Sequence, residues 1–360
     1  MDGKPRKRRR PVAPVFFFCL GLLLAFAFHL VFTQVLMDAA EKKKADLSLP
    51  KTSQNLNPAL PGDSDAAPAP DRRSEEGKAA EKGDLCPAVD LRTVYSQEEL
   101  QELKYRGEMA DEGFRTAAEQ AALPPRILVV PHHRPAAFLT AQALAWAAEN
   151  WKDQPPETVI LLGPNHENLG SDIMALDCAW QTSAGLLEPA AEILDRLFAA
   201  GVARRAGDSF AAEHSMTMLL PVVAEYFPSA KVVPLIFRWR CDQEKLDELW
   251  RELESDAGQN ALIILSADFS HGLTSRQAGE KDKETKELLE SGDWRTIASL
   301  DSTSLDCPTL LAWLVRYADG AGYGRFTVLA ENDSGQLLGA REQEITSYLI
   351  LTAGGTKDGI

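Results

Sequence analysis

The chain predicts an α/β fold: a central mixed sheet with helices packed on both faces. Two observations carry that expectation. Short continuous apolar runs, such as Ile127-Leu128-Val129-Val130, Val159-Ile160-Leu161-Leu162 and Leu262-Ile263-Ile264-Leu265, alternate with longer segments that are apolar at helical spacing. This is the pattern of strands buried on both faces and of the amphipathic helices that cover them. The second observation is the placement of histidine. Of the six histidines, His132, His133, His166, His214 and His271 stand in short polar clusters that follow a run of β-formers or open a helix. Carboxyl ends of strands are where α/β proteins build their sites, and imidazole is the commonest protein metal ligand and the usual acid or base near neutral pH.

The N-terminal quarter is of a different kind. Residues 1–14 form a basic tail, with Lys4 and Arg6 to Arg10, and no Asp, Glu, Lys or Arg occurs from Pro11 to Met37. Residues 15–37 are therefore expected to be a transmembrane anchor, since an apolar stretch of about 20 residues spans a bilayer. The alternative is a cleaved signal peptide, whose apolar part runs about 7–15 residues before a small-residue cleavage site. Asp38-Ala39-Ala40 matches such a site poorly. Six Lys/Arg precede the span and three (Lys42, Lys43, Lys44) follow it, which places the N-terminus in the cytoplasm and the remainder outside the cell membrane. Residues 38–85, rich in Lys, Glu, Asp, Ala, Ser and Pro, cannot bury a core and read as a disordered linker. The formal net charge of −15 argues against a nucleic-acid partner, because phosphate binding needs a basic face.

The remaining residues, 86–356, read as one α/β domain. A helix is expected over Glu98–Glu119, a strand over Arg126–Pro131, a helix over Phe138–Trp151 and a strand over Thr158–Gly163. A strand over Asp172–Asp177 and a helix over Pro189–Ala200 come next, then a segment from Glu213 to Phe227 that starts as a helix. Strand Lys231–Phe237, helix Gln243–Glu254 and strand Ala261–Ser266 continue the alternation. Helices over Lys283–Leu289, Trp294–Leu300 and Pro308–Tyr317 and strands over Gly324–Ala330 and Glu344–Ala353 complete it. Cys86, Cys178, Cys241 and Cys307 show no CxxC spacing, so their pairing stays open between disulfides and buried small hydrophobes.

His132 and His166 each follow a buried strand and should emerge on one sheet edge, the geometry a metal with an open coordination position requires. For a single such histidine, a local hydrogen bond at a strand end is the simpler account; five clustered ones favour a site. Adjacent side chains diverge, so His132 rather than His133 is expected to face it. Glu213-His214 opens a helix, whose N-terminal end favours carboxylates or an anionic substrate. In Ser266-Ala267-Asp268-Phe269-Ser270-His271 the strand delivers an Asp and a His to the same edge. His271 suits general acid/base work, with Asp268 orienting it, while His133 and Asn165 are flanking, supporting positions. The serines suggest a Ser-His-Asp hydrolase, but no G-x-S-x-G elbow is present.

Taken together, these motifs resemble the Memo family, whose bacterial members are called AmmeMemoRadiSam system protein B. The resemblance lies in Pro131-His132, Leu162-Gly163-Pro164-Asn165-His166, Glu213-His214-Ser215 through Pro221, Val233-Pro234-Leu235 and Ser266 through His271, in that order. It implies a three-layer αβα domain similar to class III extradiol dioxygenases, which hold non-haem Fe(II) with two histidines and a carboxylate. In Memo-like proteins a cysteine takes the carboxylate position, and iron(II) or copper is the implied cofactor. By the same resemblance His132 and His166 match the metal histidines and His271 the dioxygenase catalytic histidine. Cys307 is the nearest candidate for the third ligand, although the family's Cys-Gly before Pro is absent; Asp306 and Asp301 are the alternatives. His133 and Arg134 replace a small Ala-Gly pair, so the mouth of the site is expected to be narrower and more cationic.

The expected function is metal-dependent redox or dioxygenase-like chemistry on a small organic substrate, with His271 moving a proton and Glu213 and His214 orienting the substrate. The alternatives are a non-catalytic module that recognises a metal, peptide or partner protein, and a metallohydrolase. The implied partners are the membrane, through the N-terminal helix, and a radical-SAM protein.

Overall fold

The computed structural model describes residues 86–340 and 344–355. The basic tail, the expected anchor at 15–37 and the whole of the expected linker lie outside the described residues, and among the described residues no helix is long and apolar enough to cross a membrane.

In chain order the strands are β1 (Val89–Asp90), β2 (Pro125–Val130), β3 (Thr158–Pro164), β4 (Ile173–Ala175), β5 (Trp180–Thr182), β6 (Gly185–Leu187), β7 (Arg204–Arg205), β8 (Lys231–Phe237), β9 (Ala261–Ser266), β10 (His271–Leu273), β11 (Thr327–Asp333) and β12 (Ile345–Gly354). The main sheet runs β10-β12-β2-β9-β3-β8-β4-β7, with β11 also paired to β12. Its centre is parallel: β2 with β9, β9 with β3 and β3 with β8. Antiparallel β12 and β4 flank that centre, so the sheet is mixed.

Strand periodicity splits the core into two layers. Leu128 and Val130 of β2, Val159 and Leu161 of β3, and Leu262 and Ile264 of β9 pack on one face with Leu139 and Leu144 of the helix Ala137–Asn150. Ile127 and Val129, Ile160 and Leu162, and Ile263 and Leu265 face the other way. There they meet Leu246, Leu249 and Leu253 of the helix Gln243–Asn260 and Leu310, Leu311 and Leu314 of the helix Pro308–Gly320. Successive strand residues point to opposite faces, so an unbroken apolar run feeds both layers at once.

Several elements differ from the sequence expectation for local reasons. The stretch Glu98–Glu119 is two helices, Gln97–Glu108 and Glu112–Gln120, because Asp111 turns extended and its carboxylate caps the second by accepting from Phe114 N. Glu213–Phe227 is likewise two short helices, His214–Thr217 and Leu220–Tyr226, the latter with proline in its first turn. The helix expected over Lys283–Leu289 runs over Ser275–Ser291, opened by a capping box between Thr274 and Gln277. The hairpin β5–β6, which joins β1 in a small separate sheet, has strands too short to carry a periodic signal. Cys86 pairs with Cys178, and Cys241 and Cys307 are free and buried.

Leu161 is fully buried at the middle of the parallel strands. Leu161→Ala should therefore lower the unfolding free energy by about 3 kcal/mol, measured as a reduced urea midpoint; an unchanged midpoint would contradict this placement of the core.

Candidate metal centre

Three neighbouring parallel strands end on one edge, and each is followed, two residues on, by a polar side chain: His132 after β2, Asp268 after β9 and His166 after β3. Val130 and Ser266 are register partners, so His132 and Asp268 leave the sheet at the same level, and the His132 N–H donates to Asp268 Oδ1 at 3.2 Å. His214, at the head of its short helix, completes a cluster. One ring nitrogen each from His132, His166 and His214 lies within 4.8 Å of the others. The His166 and His214 rings stack with centroids 3.9 Å apart, and His132 meets both edge-on at 5.0 and 5.1 Å.

Hydrogen bonds set which ring nitrogen of His132 and of His166 is engaged. Ser266 Oγ donates to the Ser215 carbonyl at 2.7 Å, so towards His132 Nδ1, 3.0 Å away, it can only accept. His132 is buried, and burial followed by the charges of His166 and His214 drives its pKa well below the ordinary value. The neutral ring thus carries its one proton on Nδ1 and turns a bare Nε2 outward. His166 Nδ1 donates to Glu213 Oε1 at 2.7 Å, and the His166 N–H donates to Glu213 Oε2 at 3.0 Å. Burial opposes ionisation of Glu213, but these bonds and that from Ser215 N hold its pKa down to about 2. Burial alone would lower His166; the hydrogen bond and charge of Glu213 outweigh it and leave the pKa raised. A carboxylate or hydroxyl behind one ring nitrogen is the usual support for a metal-binding histidine.

Opposite His132 stand two carboxylates. Its Nε2 lies 3.6 Å from Asp268 Oδ2 and 3.5 Å from Asp306 Oδ2, and His132, Asp268 and Asp306 form a second, fully buried group with metal-ligand spacing. Asp306 is locked to Asp268 through the main chain: the Asp268 N–H donates to Asp306 Oδ2, and the Asp306 N–H donates to the Asp268 carbonyl. Burial raises the pKa of Asp268, and burial together with the Asp268 charge pushes Asp306 up to about 7. A bare imidazole lone pair facing two carboxylates is repulsive unless a proton or a cation lies between them. Asp306 Oδ1 and His271 Nδ1, both buried, find no hydrogen-bond partner among the described residues. Nitrogen and oxygen donors so placed could hold a metal ion.

A family model described as Memo-like protein matches residues 96–351. The chain belongs to the Memo family. A MEMO1 family protein of Methanopyrus kandleri is 29% identical over 54% of this chain and 65% of its own length, and one of Pyrobaculum aerophilum is 26% identical over 54% and 72%. With the first of these, then, the match spans slightly less than two thirds of the relative. A crystal structure of an uncharacterized protein from Escherichia coli K12 aligns at TM-score 0.39 and 14% identity, covering 63% of this chain and 99% of that one.

In this Memo-family chain the expected site residues fall into three groups. His132, His166, His214 and Asp268 come together as described, and His271, lowered in pKa by burial, feels the charges of Asp268 and His166. Glu213, expected to orient substrate, instead has both oxygens engaged by His166 and Ser215. Others stand apart. His133 turns to Tyr348, its Nδ1 2.6 Å from the hydroxyl, and Asn165 donates to the Leu169 carbonyl within its own loop. Cys307 lies outside both metal-capable groups, and Asp301 is exposed and bound to Thr303 and Ser304. Nor is the mouth made cationic by Arg134, whose guanidinium is held by Glu99 and the Val94 carbonyl. Two further residues support the site, Ser266 behind His132 and Tyr348 beside His133; the first stands inside the Ser266–His271 motif, whereas nothing in the apolar strand β12 marks the second.

Asp306 in the metal-free protein holds a proton that the unfolded chain gives up near pH 3.8. A raised carboxyl pKa contributes stability at low pH and loses it as pH rises through the folded value of about 7. Asp306→Asn should thus stabilise the metal-free protein at pH 8 by roughly 2 kcal/mol and change little at pH 4, read from urea midpoints at both. Equal effects at the two pH values would contradict the assignment.

Proposed function

We propose that this chain is a membrane-anchored, metal-dependent oxidoreductase of dioxygenase-like chemistry acting on a small organic substrate. The observation that carries the reading is the commitment of Nδ1 in both His132 and His166, to Ser266 and Glu213, which leaves the two Nε2 atoms at one sheet edge to meet a metal, that of His166 by giving up its proton. The donor set suits iron(II) or copper, and when bound the ion supplies a Lewis-acid and redox centre with positions open to substrate and O₂.

The side chains around that position have distinct work. Glu213 and Ser266 hold the two ligand rings in orientation and tautomer. His214, whose side chain is 53% exposed, stands at the entrance; its pKa is lowered by burial and by His166, so near neutral pH it offers substrate a neutral imidazole. His271 is neutral there as well, and its unpartnered Nδ1 can take a proton from a bound hydroxyl and return it. Asp268, buried beside both, stabilises the charge that His271 acquires when it takes that proton. The disulfide Cys86–Cys178 supports the extracytoplasmic placement of the domain, since such bonds persist in oxidising compartments.

The test is metal content together with oxygen uptake. The purified full-length protein should hold about one equivalent of metal and consume O₂ with a catechol-like substrate, and His132→Ala or His166→Ala should abolish both. Metal uptake without O₂ consumption on any of a catechol panel would favour the binding-module reading, and oxygen-insensitive, zinc-dependent hydrolysis the hydrolase. Glu213→Gln should weaken metal affinity about 10- to 100-fold by replacing the carboxylate behind His166 with a neutral amide that has one accepting oxygen; unaltered affinity in a competition titration would count against its positioning role.

A further inference from the structure

We propose that a cavity between three helices on one face of the sheet is a second binding site, independent of the metal centre, for a small organic cation with an apolar or aromatic body. The cavity measures about 860 Å³ and lies between the helices Gln97–Glu108, Glu112–Gln120 and Ala137–Asn150. Sites for small molecules are commonly of this size, largely apolar with a few fixed polar groups. Its lining follows helical spacing. Gln142, Ala145, Trp146 and Glu149 form one stripe of the third helix, and Phe114 and Ala118 stand one turn apart on the second. The third helix begins just after His132, and the stripe runs from roughly 8 to 18 Å along its axis away from the metal edge.

Two observations set the chemistry of the occupant. Gln142 is only 6% exposed, yet its amide makes no hydrogen bond among the described residues. A buried amide costs free energy until something bonds it, and the cavity it lines is where a partner can enter. The second observation is charge. Glu108, Glu119, Glu149 and Glu225 line the cavity against Lys104 and Arg115. Lys104 pairs with Glu225, Lys152 pairs with Glu149, and Arg115 turns to the Ala110 carbonyl. Glu108 and Glu119 make no ion pair among the described residues. Gly107 packs so closely on the Ala141 carbonyl and the Tyr226 hydroxyl that a Cβ there would clash, which brings Glu108 to the level of Gln142. Burial first, then the charges of Glu108 and Glu225, raise the pKa of Tyr226, so this end of the cavity is negative in potential. An ammonium group donating to Gln142 Oε1 is attracted there, and the rings of Phe114, Trp146 and Tyr226 suit both a cation and an apolar body. The same carboxylates repel an anion.

The purified full-length protein, stripped of metal with a chelator, is titrated by calorimetry with 2-phenylethylammonium, 2-phenylethanol and 3-phenylpropanoate, probes of similar shape and different charge. The ammonium should bind saturably and about tenfold more tightly than the alcohol, with the carboxylate weaker still, and added salt should narrow the difference. Gln142→Leu should weaken ammonium binding about fivefold and Trp146→Ala about tenfold. Glu108→Gln combined with Glu119→Gln should bring the ammonium down to the level of the alcohol. His132→Ala should bind the ammonium as the wild type does, and Gln142→Leu should take up metal as the wild type does, so the two sites fail separately. No saturable ammonium binding, equal affinity for the three probes, or full affinity in both Gln142→Leu and Trp146→Ala overturns the proposal. If Gln142→Leu shows no cooperative urea transition, Trp146→Ala and the double glutamine variant decide.

Discussion

Everything at the site depends on parallel pairing of β2, β9 and β3. Parallel neighbours end on the same side, so whatever follows each strand is delivered to one edge without any further design of loops. Here each strand is followed, two residues on, by a polar side chain, and the Val130–Ser266 register sets two of them level. The apolar runs that hold these strands in the middle of the sheet are thus the reason distant imidazoles and carboxylates meet. Slipping β9 by one residue would turn every side chain on it to the opposite face and carry Asp268 away from His132.

Burial gives the edge its chemistry. His132, Asp268 and Asp306 are withdrawn from water, which disfavours the charged form of each, so the carboxyl pKa values rise while the imidazole pKa falls. Hydrogen bonds from the rear decide what remains available at the front. Ser266 and Glu213 tie up the Nδ1 atoms, and the main chain between Asp268 and Asp306 ties the carboxylates to one another. The result is a set of acceptor groups converging on one point, an arrangement that costs free energy without a cation or a shared proton and gains it with one.

How much of this was legible in the sequence follows from what kind of signal each part leaves. The central strands could be read almost residue for residue, because strands buried on both faces are continuous apolar runs; Lys231–Phe237 and Ala261–Ser266 stand where expected. The common edge for His132, His166 and Asp268 followed from those runs and the residues just past them. Breaks inside polar helices were not legible: Asp111 ends one helix and caps the next through a side-chain bond that periodicity does not register. The third ligand position was open for a related reason. Asp306 and Cys307 are neighbours before a helix, and spacing alone does not show that the carboxyl joins His132 and Asp268 while the buried thiol beside it belongs to neither metal-capable group. Glu213 could be placed at a helix start from its motif, yet its direction, onto His166 and not towards substrate, depends on β3 lying beside that helix.

Binding of one ion at this edge on the two Nε2 atoms is tested most directly by an anomalous-difference map from crystals of the protein soaked anaerobically in iron(II), collected at the iron edge. A single strong peak about 2.1 Å from Nε2 of both His132 and His166 is predicted. A peak on the Nδ1 side of either ring, or strong density only at surface carboxylates, would contradict it.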